Sequence, residues 1–169
     1  MSEILDAFLP AVRGWFGETF GEPTPPQVEG WPAIQRGEHT LILSPTGSGK
    51  TLAAFLWGID ELYREVSRES GDLEEGVRLL FVSPLKALNN DVERNLRAPL
   101  AGIRRVAKEQ GAPLPRLDVL VRTGDTPQSD RRRMVKHPPH VLITSPESLY
   151  VILTCPVARK MFRTVRTII

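Results

Sequence analysis

The 169-residue chain has one cysteine, Cys155. No internal disulfide can form, which fits a reducing cytoplasm, and so small a residue reads as part of an apolar core. Of its histidines, His137 and His140 lie close together in HPPH, but no cysteine or further histidine accompanies them, so a metal centre is not expected. His39 reads as a loop residue. There is no apolar run long enough to cross a bilayer, so no membrane partner is expected. The N-terminal stretch MSEILDAFLPAVRGWF carries acids early and no basic segment, so it is not expected to be a secretory leader. It reads as an amphipathic helix with Leu5, Phe8, Leu9 and Val12 on one face. Internal repeats and low-complexity tracts are absent. At this length one domain with a real core is expected.

A strong charge of either sign is also lacking, since the formal net charge is only +2. The distribution is uneven, however. Residues 1–80 hold 6 Lys/Arg against 13 Asp/Glu, whereas residues 81–169 hold 16 against 7. A basic half suits a polyanionic partner. The run Arg131-Arg132-Arg133 reads as a solvated helix face, with direct phosphate contact as the alternative.

What is present is a regular alternation. Apolar β-type runs recur as TLIL (40–43), VRLLFV (77–82), LDVLV (117–121), HVLI (140–143) and VRTII (165–169). Between them lie helical patterns. Residues 52–66 place Leu52, Phe55, Leu56, Ile59, Leu62, Tyr63 and Val66 at helical spacing, and residues 85–97 place Leu85, Leu88, Val92 and Leu96 on one stripe, after which Pro99 restarts or kinks the chain. GDLEEG (71–76) and GAPLPR (111–116) are connectors. Trp15, Trp31 and Trp57 fall at helical spacings and read as packing. The order implies an α/β fold with a parallel sheet covered by helices on both faces. Four apolar runs lead into Ser/Thr-Pro: Ser44-Pro45, Ser83-Pro84, Thr126-Pro127 and Ser145-Pro146. At the last three, Ser or Thr as N-cap and Pro at the first helical position would start a helix at once. In a parallel sheet all such junctions share the carboxyl edge, where α/β folds bind ligands and helix N-termini favour phosphate.

The first junction opens SPTGSGKT (44–51). Gly47 and Gly49 permit a tight turn and close approach, so the amides from Thr46 through Gly49 can cradle phosphates. Lys50 reaches the terminal phosphates and Thr51 offers a hydroxyl to Mg²⁺. Ser44 stands where the commoner form of this loop has glycine. Upstream, in PTPPQ (23–27), Gln27 has two readings. With Thr24 as N-cap it completes a capping box, which the spacing favours. Its planar amide also matches an adenine edge.

PTPPQ followed by SPTGSGKT resembles the adenine-reading Q motif and motif I of superfamily 2 helicases. SPLKALNNDVERNL (83–96) resembles motif Ia, and RTGDT (122–126) and TSPESL (144–149) resemble the next nucleic-acid-contacting motifs. With WPAIQRGEHTLILSPTGSGKTLAAFLW, the wording is similar to the large helicase-related (Lhr) family of DEAD/DEAH-box helicases across nearly the whole chain. The resemblance implies a P-loop NTPase of RecA-like fold, with 1–38 a helical Q-motif segment and 39–169 the P-loop core. It implies ATP and Mg²⁺ as cofactors and single-stranded nucleic acid, DNA before RNA, as partner. Gln27 would read adenine, with Phe20 the aromatic beside the base, although Phe20 taken alone reads as core. Pro84, Leu85, Lys86, Asn89, Thr123, Gly124, Asp125, Ser145, Pro146 and Glu147 would track one strand's backbone.

Hydrolysis needs a strand-end carboxylate for the metal and a group that positions water. Asp125 belongs to the nucleic-acid set, and Asp60-Glu61 lie within a helix. VRTII stops at Ile169, where the family's Asp-Glu-x-His box would follow. The resemblance therefore implies a fragment of the first RecA-like domain, ending before the Walker B strand does, with a second such domain in the intact protein. Such a piece is expected to bind nucleotide and nucleic acid and to hydrolyse poorly, within an ATP-dependent helicase of DNA repair. The alternatives are a noncatalytic binding module and an unrelated P-loop enzyme such as a small-molecule kinase.

Overall fold

The computed structural model describes residues 3–68 and 76–169, apart from the side chains of Val66, Arg68 and Lys86. Most of the expected GDLEEG connector and the Val66 position of the helical stripe lie outside the described residues. Packing separates two compact units, Met1–Arg68 with Ala101–Pro115, and Glu69–Leu100 with Arg116–Ile169.

The first unit is helical. A 3-10 turn (Glu3–Ala7) precedes α1 (Pro10–Phe20), α2 (Pro25–Gln35) and α3 (Lys50–Arg68). The single N-terminal helix expected from periodicity is thus two pieces. Pro10 has no N–H to continue the turn and its ring crowds the preceding carbonyls, so it starts α1 instead. Leu5, Phe8 and Val12 are buried as expected. Leu9 serves through its backbone: its N–H donates to Asp60 Oδ1 at 2.7 Å. Asp60 is fully buried and also accepts from Arg64 Nε at 2.6 Å, while Arg64 Nη2 donates to the Ala7 carbonyl at 2.6 Å. The carboxylate ties the chain entry to α3. Burial nevertheless raises its pKa, against the lowering pull of Leu9 and Arg64.

Aromatic rings fill this unit. Phe8 meets Trp31 and Trp57 edge-on at 4.9 and 5.3 Å, and the Trp31 indole N–H donates to the Ala53 carbonyl at 3.0 Å. Edge-on rings with a bonded indole are the favourable way to bury such side chains. The remaining helix, α4 (Lys86–Glu109), enters the unit from Ala101 onward. There Trp15 lies over Gly102 so closely that a Cβ would sit 2.3 Å from the indole.

TLIL does not form a strand. Leu41 and Leu43 are 82% and 84% exposed, and Ile42 alone turns inward onto Gly30. The alternation of a strand is there, but among the described residues no neighbour supplies a ladder.

The second unit holds a four-stranded parallel sheet of order β2-β3-β1-β4, with β1 Leu79–Val82, β2 Val119–Arg122, β3 Val141–Thr144 and β4 Thr167–Ile168. Four of the five expected strands are these. The chain threads through α5 (Gln128–Lys136) and α6 (Pro146–Thr154). Leu80 and Leu142, paired in register, pack with Ile152, Ala158 and Met161 on one face. Leu79, Val141 and Ile143 point the other way by strand alternation and are buried too, as a sheet covered on both sides requires.

Pro99 does not restart the chain, since α4 runs through it. The buried stripe is Asn89, Val92, Leu96 and Leu100, whereas Leu85 and Leu88 are 63% and 41% exposed. The expected stripe was wrong in its first turn because a polar residue, Asn89, takes the inward position. Cys155 is exposed rather than buried, because it falls at the end of α6. Backbone N–H groups of Ala158 and Val157 hold its thiol below the ordinary value. Trp15 and Trp31 are buried, and Trp57 is half-buried.

Two outcomes follow from the helical unit. Folded Asp60 holds its proton to higher pH than the unfolded chain, so its contribution is complete below its unfolded value and is lost as pH rises through the folded one. In urea titrations from about pH 3 to about pH 7, the wild type should therefore lose stability relative to Asp60→Asn. Gly102→Ala should lower the urea midpoint by about 1–3 kcal/mol equivalent through overpacking against Trp15, despite alanine's better helix propensity.

Candidate nucleotide and nucleic-acid sites

The phosphate-type loop lies wholly in the first unit. Gly47 and Gly49 have φ of 82° and 88°, values that L-residues avoid, and α3 begins directly at Lys50. The first amides of α3 therefore face out of the loop with the positive end of the helix dipole. Lys50 Nζ donates to the carbonyls of Ser44 at 2.5 Å and Pro45 at 2.6 Å, so the ammonium is folded over the loop it closes. The Ser44 and Ser48 hydroxyls bond at 2.6 Å. Thr51 is exposed in the first turn of α3.

Thr24 and Gln27 are fastened to this loop. The Thr24 hydroxyl donates to the Ser48 carbonyl at 2.9 Å, and Gln27 Nε2 donates to the Gly49 carbonyl at 3.4 Å. Gln27 Oε1 accepts from the Thr24 N–H at 2.9 Å, which is the return arm of a capping box. Gln27 thus caps α2 and touches the phosphate-type loop with one amide. A Cβ at Gly49 would lie 2.8 Å from Gln27 Nε2 and would displace that amide, and the φ of 88° itself favours glycine here. Thr24 was legible only as a cap; its hold on Ser48 had no local signal. Phe20, expected as core when read alone, is 53% exposed at the end of α1 and leans on Trp15 and Phe16. A cavity of about 630 Å³ runs beside the loop past Pro25, Glu29, Leu41 and Ser44. It includes none of Gly47, Gly49, Lys50 or Thr51, so it lies beside the glycine turn without including it.

The other candidate residues lie in the second unit, and strand register sets their order. Val82 pairs with Thr144 and Arg122 pairs with Thr144, so β1, β3 and β2 end level. The next residues, Ser83, Ser145 and Thr123, start three loops along one carboxyl edge. Ser83 N–H donates to the Thr144 carbonyl at 3.0 Å, and the Thr144 hydroxyl donates to the Arg122 carbonyl at 2.7 Å, which locks the row.

Each loop is shaped differently. Ser145 is the N-cap of α6, accepting from Ser148 N–H at 3.4 Å, with Pro146 at the first position and Glu147 exposed behind it. The other two Ser/Thr-Pro junctions do not start helices directly. After Ser83 and exposed Pro84, the helix waits until Lys86, whose side chain lies outside the described ones; Ser83 Oγ instead accepts from Leu85 N–H at 3.3 Å. Asn89 is fully buried and donates to the Ser83 carbonyl at 3.4 Å, so it holds the loop from beneath rather than facing out. After β2, Pro127 is itself the N-cap of α5. Thr126 is used within the turn: its hydroxyl accepts from Thr123 N–H at 2.9 Å, and Asp125 N–H donates to Thr123 Oγ1 at 3.4 Å. Gly124 and Asp125 form the exposed tip.

Arginine was the missed signal. Arg132 and Arg133 are solvated as expected, but Arg131 turns inward and donates to the Gly124 carbonyl at 2.6 Å and to the Thr123 carbonyl at 3.4 Å. Arg122 is only 7% exposed. Burial pulls its guanidinium below the ordinary value, the Arg131 charge adds to this, and Cys155 acts in the opposite sense. A charged residue closing an apolar strand was the available clue.

The sequence matches the DEAD/DEAH box helicase family over residues 24–169. The Lhr helicase/probable uracil glycosylase of Mycolicibacterium smegmatis is 53% identical over 165 residues, covering 98% of this chain and 11% of that protein. The ATP-dependent helicase Lhr-Core protein 2 of Thermococcus barophilus is 49% identical over 167 residues, covering 99% of this chain and 19% of that protein. The solved structure of Mycobacterium smegmatis helicase Lhr bound to ssDNA and AMP-PNP superposes with a TM-score of 0.90 at 51% identity, over 99% of this chain and 20% of that one. The DEAD-box helicase Mss116 bound to ssRNA and UDP-BeF shares the fold, with a TM-score of 0.76 at 20% identity over 99% of this chain and 33% of that one. The chain spans about a tenth to a fifth of the length of these Lhr proteins. Because the family match takes in the Thr24–Gln27 cap, the phosphate loop and all three loops of the sheet edge, the chain belongs to the DEAD/DEAH box helicases, with Lhr helicases as its relatives.

Proposed function

We propose that this chain is the nucleotide-gripping and strand-tracking part of an ATP-dependent helicase motor, acting in the cytoplasm on single-stranded DNA in preference to RNA during DNA repair. The observation that carries the reading is the junction of Thr24 and Gln27 with the Ser48 and Gly49 carbonyls. It joins a base-reading amide to a phosphate loop in one fixed piece. Gln27 has two amide hydrogens and two carbonyl lone pairs. The bonds to Gly49 and Thr24 use one of each, which leaves one donor and one acceptor for the adenine edge. The amides from Thr46 through Gly49 surround the phosphates. Lys50 exchanges the Ser44 and Pro45 carbonyls for terminal phosphate oxygens, and Phe20 flanks the base.

Mg²⁺ fits the exposed Thr51 hydroxyl, a hard oxygen donor one residue beyond the loop lysine. When bound, the ion neutralises charge on the terminal phosphates. Asp60 does not serve as its carboxylate, because that side chain is buried and committed to Leu9 and Arg64. The chain holds no Asp-Glu-x-His sequence, so binding without appreciable turnover is its expected behaviour. A second RecA-like domain supplies the remainder of the motor. On the sheet edge, Pro84, Leu85, Lys86, Asn89, Thr123, Gly124, Asp125, Ser145, Pro146 and Glu147 form the strand track, with Asn89 acting through Ser83. The likeness to the structure of Lhr bound to ssDNA and AMP-PNP supports both halves of this reading.

Titration with fluorescent ATP analogue and with labelled single-stranded DNA and RNA tests it. Lys50→Ala should weaken analogue binding about ten- to a hundredfold, the loss of charge-assisted bonds. Gln27→Ala should erase preference for ATP over GTP and leave triphosphate binding. Analogue binding insensitive to Lys50→Ala would sink the reading. DNA-stimulated ATP turnover would refute the expected lack of hydrolysis.

A further inference from the structure

The phosphate-type loop carries one side-chain bond that its commoner form cannot make. Ser44, at the entrance, and Ser48, between the two loop glycines, share a hydrogen bond of 2.6 Å through their hydroxyls, one donating and the other accepting. Glycine, the commoner residue at the first of these positions, has no side chain for it. Ser48 also sits where the loop is freest to turn, because Gly47 and Gly49 on either side of it are the positive-φ residues of the loop. The entrance needs such a tie. The TLIL run that leads into Ser44 pairs with no strand among the described residues, so no ladder fixes the chain as it arrives. Two kinds of bond hold Ser44 instead. Its carbonyl, with that of Pro45, accepts from Lys50 Nζ, and its hydroxyl meets Ser48. The far side of the loop is anchored from α2, since Thr24 Oγ1 donates to the Ser48 carbonyl and Gln27 Nε2 to the Gly49 carbonyl. Ser48 is thus fastened by its carbonyl to α2 and by its hydroxyl to the entrance, and its N–H donates to the Pro45 carbonyl at 3.4 Å. The N–H groups of Thr46, Gly47 and Gly49, in contrast, have no protein partner among the described residues.

When Lys50 transfers to terminal phosphate oxygens, both of its bonds to the entrance are given up. The hydroxyl bond does not involve the lysine and survives that exchange. We propose that the Ser44–Ser48 bond is a clasp that keeps the loop in its cradling shape while Lys50 changes partners. Ser44 is then a positioning residue, acting on nucleotide through Ser48 rather than by contact. The proposal rests on the nucleotide-gripping reading of this loop and deepens it. Without the clasp, the Gly47–Ser48–Gly49 segment samples more conformations. Apparent affinity then falls with the fraction of loops still in the cradling one. One neutral hydrogen bond sets the size of the effect at about two- to tenfold.

Titration with a fluorescent ATP analogue tests this on wild type, Ser44→Ala, Ser44→Thr, Ser48→Ala, the Ser44→Ala/Ser48→Ala double variant and Lys50→Ala, each checked for folding by circular dichroism. Ser44→Ala should weaken binding about two- to tenfold. Ser44→Thr should recover the loss, because the hydroxyl returns. The double variant should lose no more than the weaker-binding single one, since either change breaks the same bond. In nucleotide-free protein, the amide resonances of Gly47 and Gly49 should broaden in Ser44→Ala and sharpen on saturation with analogue. A general loss of stability would not confine the change to those two amides. Should Ser44→Ala fail to fold, Ser48→Ala gives the same resonance readout. Equal, Lys50-dependent binding by wild type and Ser44→Ala overturns the clasp and leaves the nucleotide grip standing. Tighter binding by Ser44→Ala also overturns it, because the bond then opposes nucleotide. Additive losses in the double variant overturn the pairing of the two hydroxyls. No analogue binding by wild type, or binding indifferent to Lys50→Ala, overturns clasp and grip together.

Discussion

Level pairing of three parallel strands governs the second unit. Val82, Thr144 and Arg122 share a row, and everything placed beyond them inherits that alignment. Slipping β3 by one residue would invert it, turning Leu142 away from Leu80 and the core that Ile152 and Met161 complete. It would also break the bond from Ser83 N–H to Thr144 and that from Thr144 to Arg122. Apolar burial therefore specifies the register, and the register specifies which polar residues emerge side by side. The edge needs no further device to gather the loops. What differs among them is the finish of each: an N-cap at Ser145, a hydroxyl turn at Thr123 and Thr126, and a buried amide at Asn89 under Ser83.

In the first unit, order comes from polar groups set among rings. Asp60 ties the N-terminal entry to α3, and Trp31 ties α2 to the same helix through Ala53. With α2 so placed, Thr24 and Gln27 reach the loop that α3 terminates. The path from apolar packing to a shaped phosphate loop is short: rings seat the helix, the helix seats its cap, and the cap seats Gly49.

Where a residue's role depends on its immediate neighbours, the sequence was sufficient. The loop glycines, the Ser145 cap, the Thr24–Gln27 box and four of the strands are of that kind. The misreadings arise where the role depends on a distant partner. TLIL has strand composition, but a strand exists only as half of a pair. Pro99 removes one backbone donor, yet burial of Leu96, Leu100 and Ile103 on either side keeps α4 intact. Leu85 and Leu88 fit an apolar stripe that Asn89 displaced. Cys155 is small and apolar enough for a core, and its place at a helix end puts it outside. The burial of Arg122 was hidden for the same reason, because charge in a sequence does not reveal whether an enclosure forms around it.

If the loop grips nucleotide as proposed, the ammonium of Lys50, bonded to two carbonyls of its own loop, bears on selectivity among nucleotides. Those bonds are already satisfied, so a newcomer gains from this side chain only by offering something better than two carbonyl oxygens. A chain of phosphates long enough to reach it offers concentrated negative charge and does so. A monophosphate whose tail stops short gains nothing from the lysine and leaves both internal bonds in place. On the proposed reading, the loop would measure the length of the tail presented to it, and it would do so through a competition among its own atoms, before any catalytic group is involved.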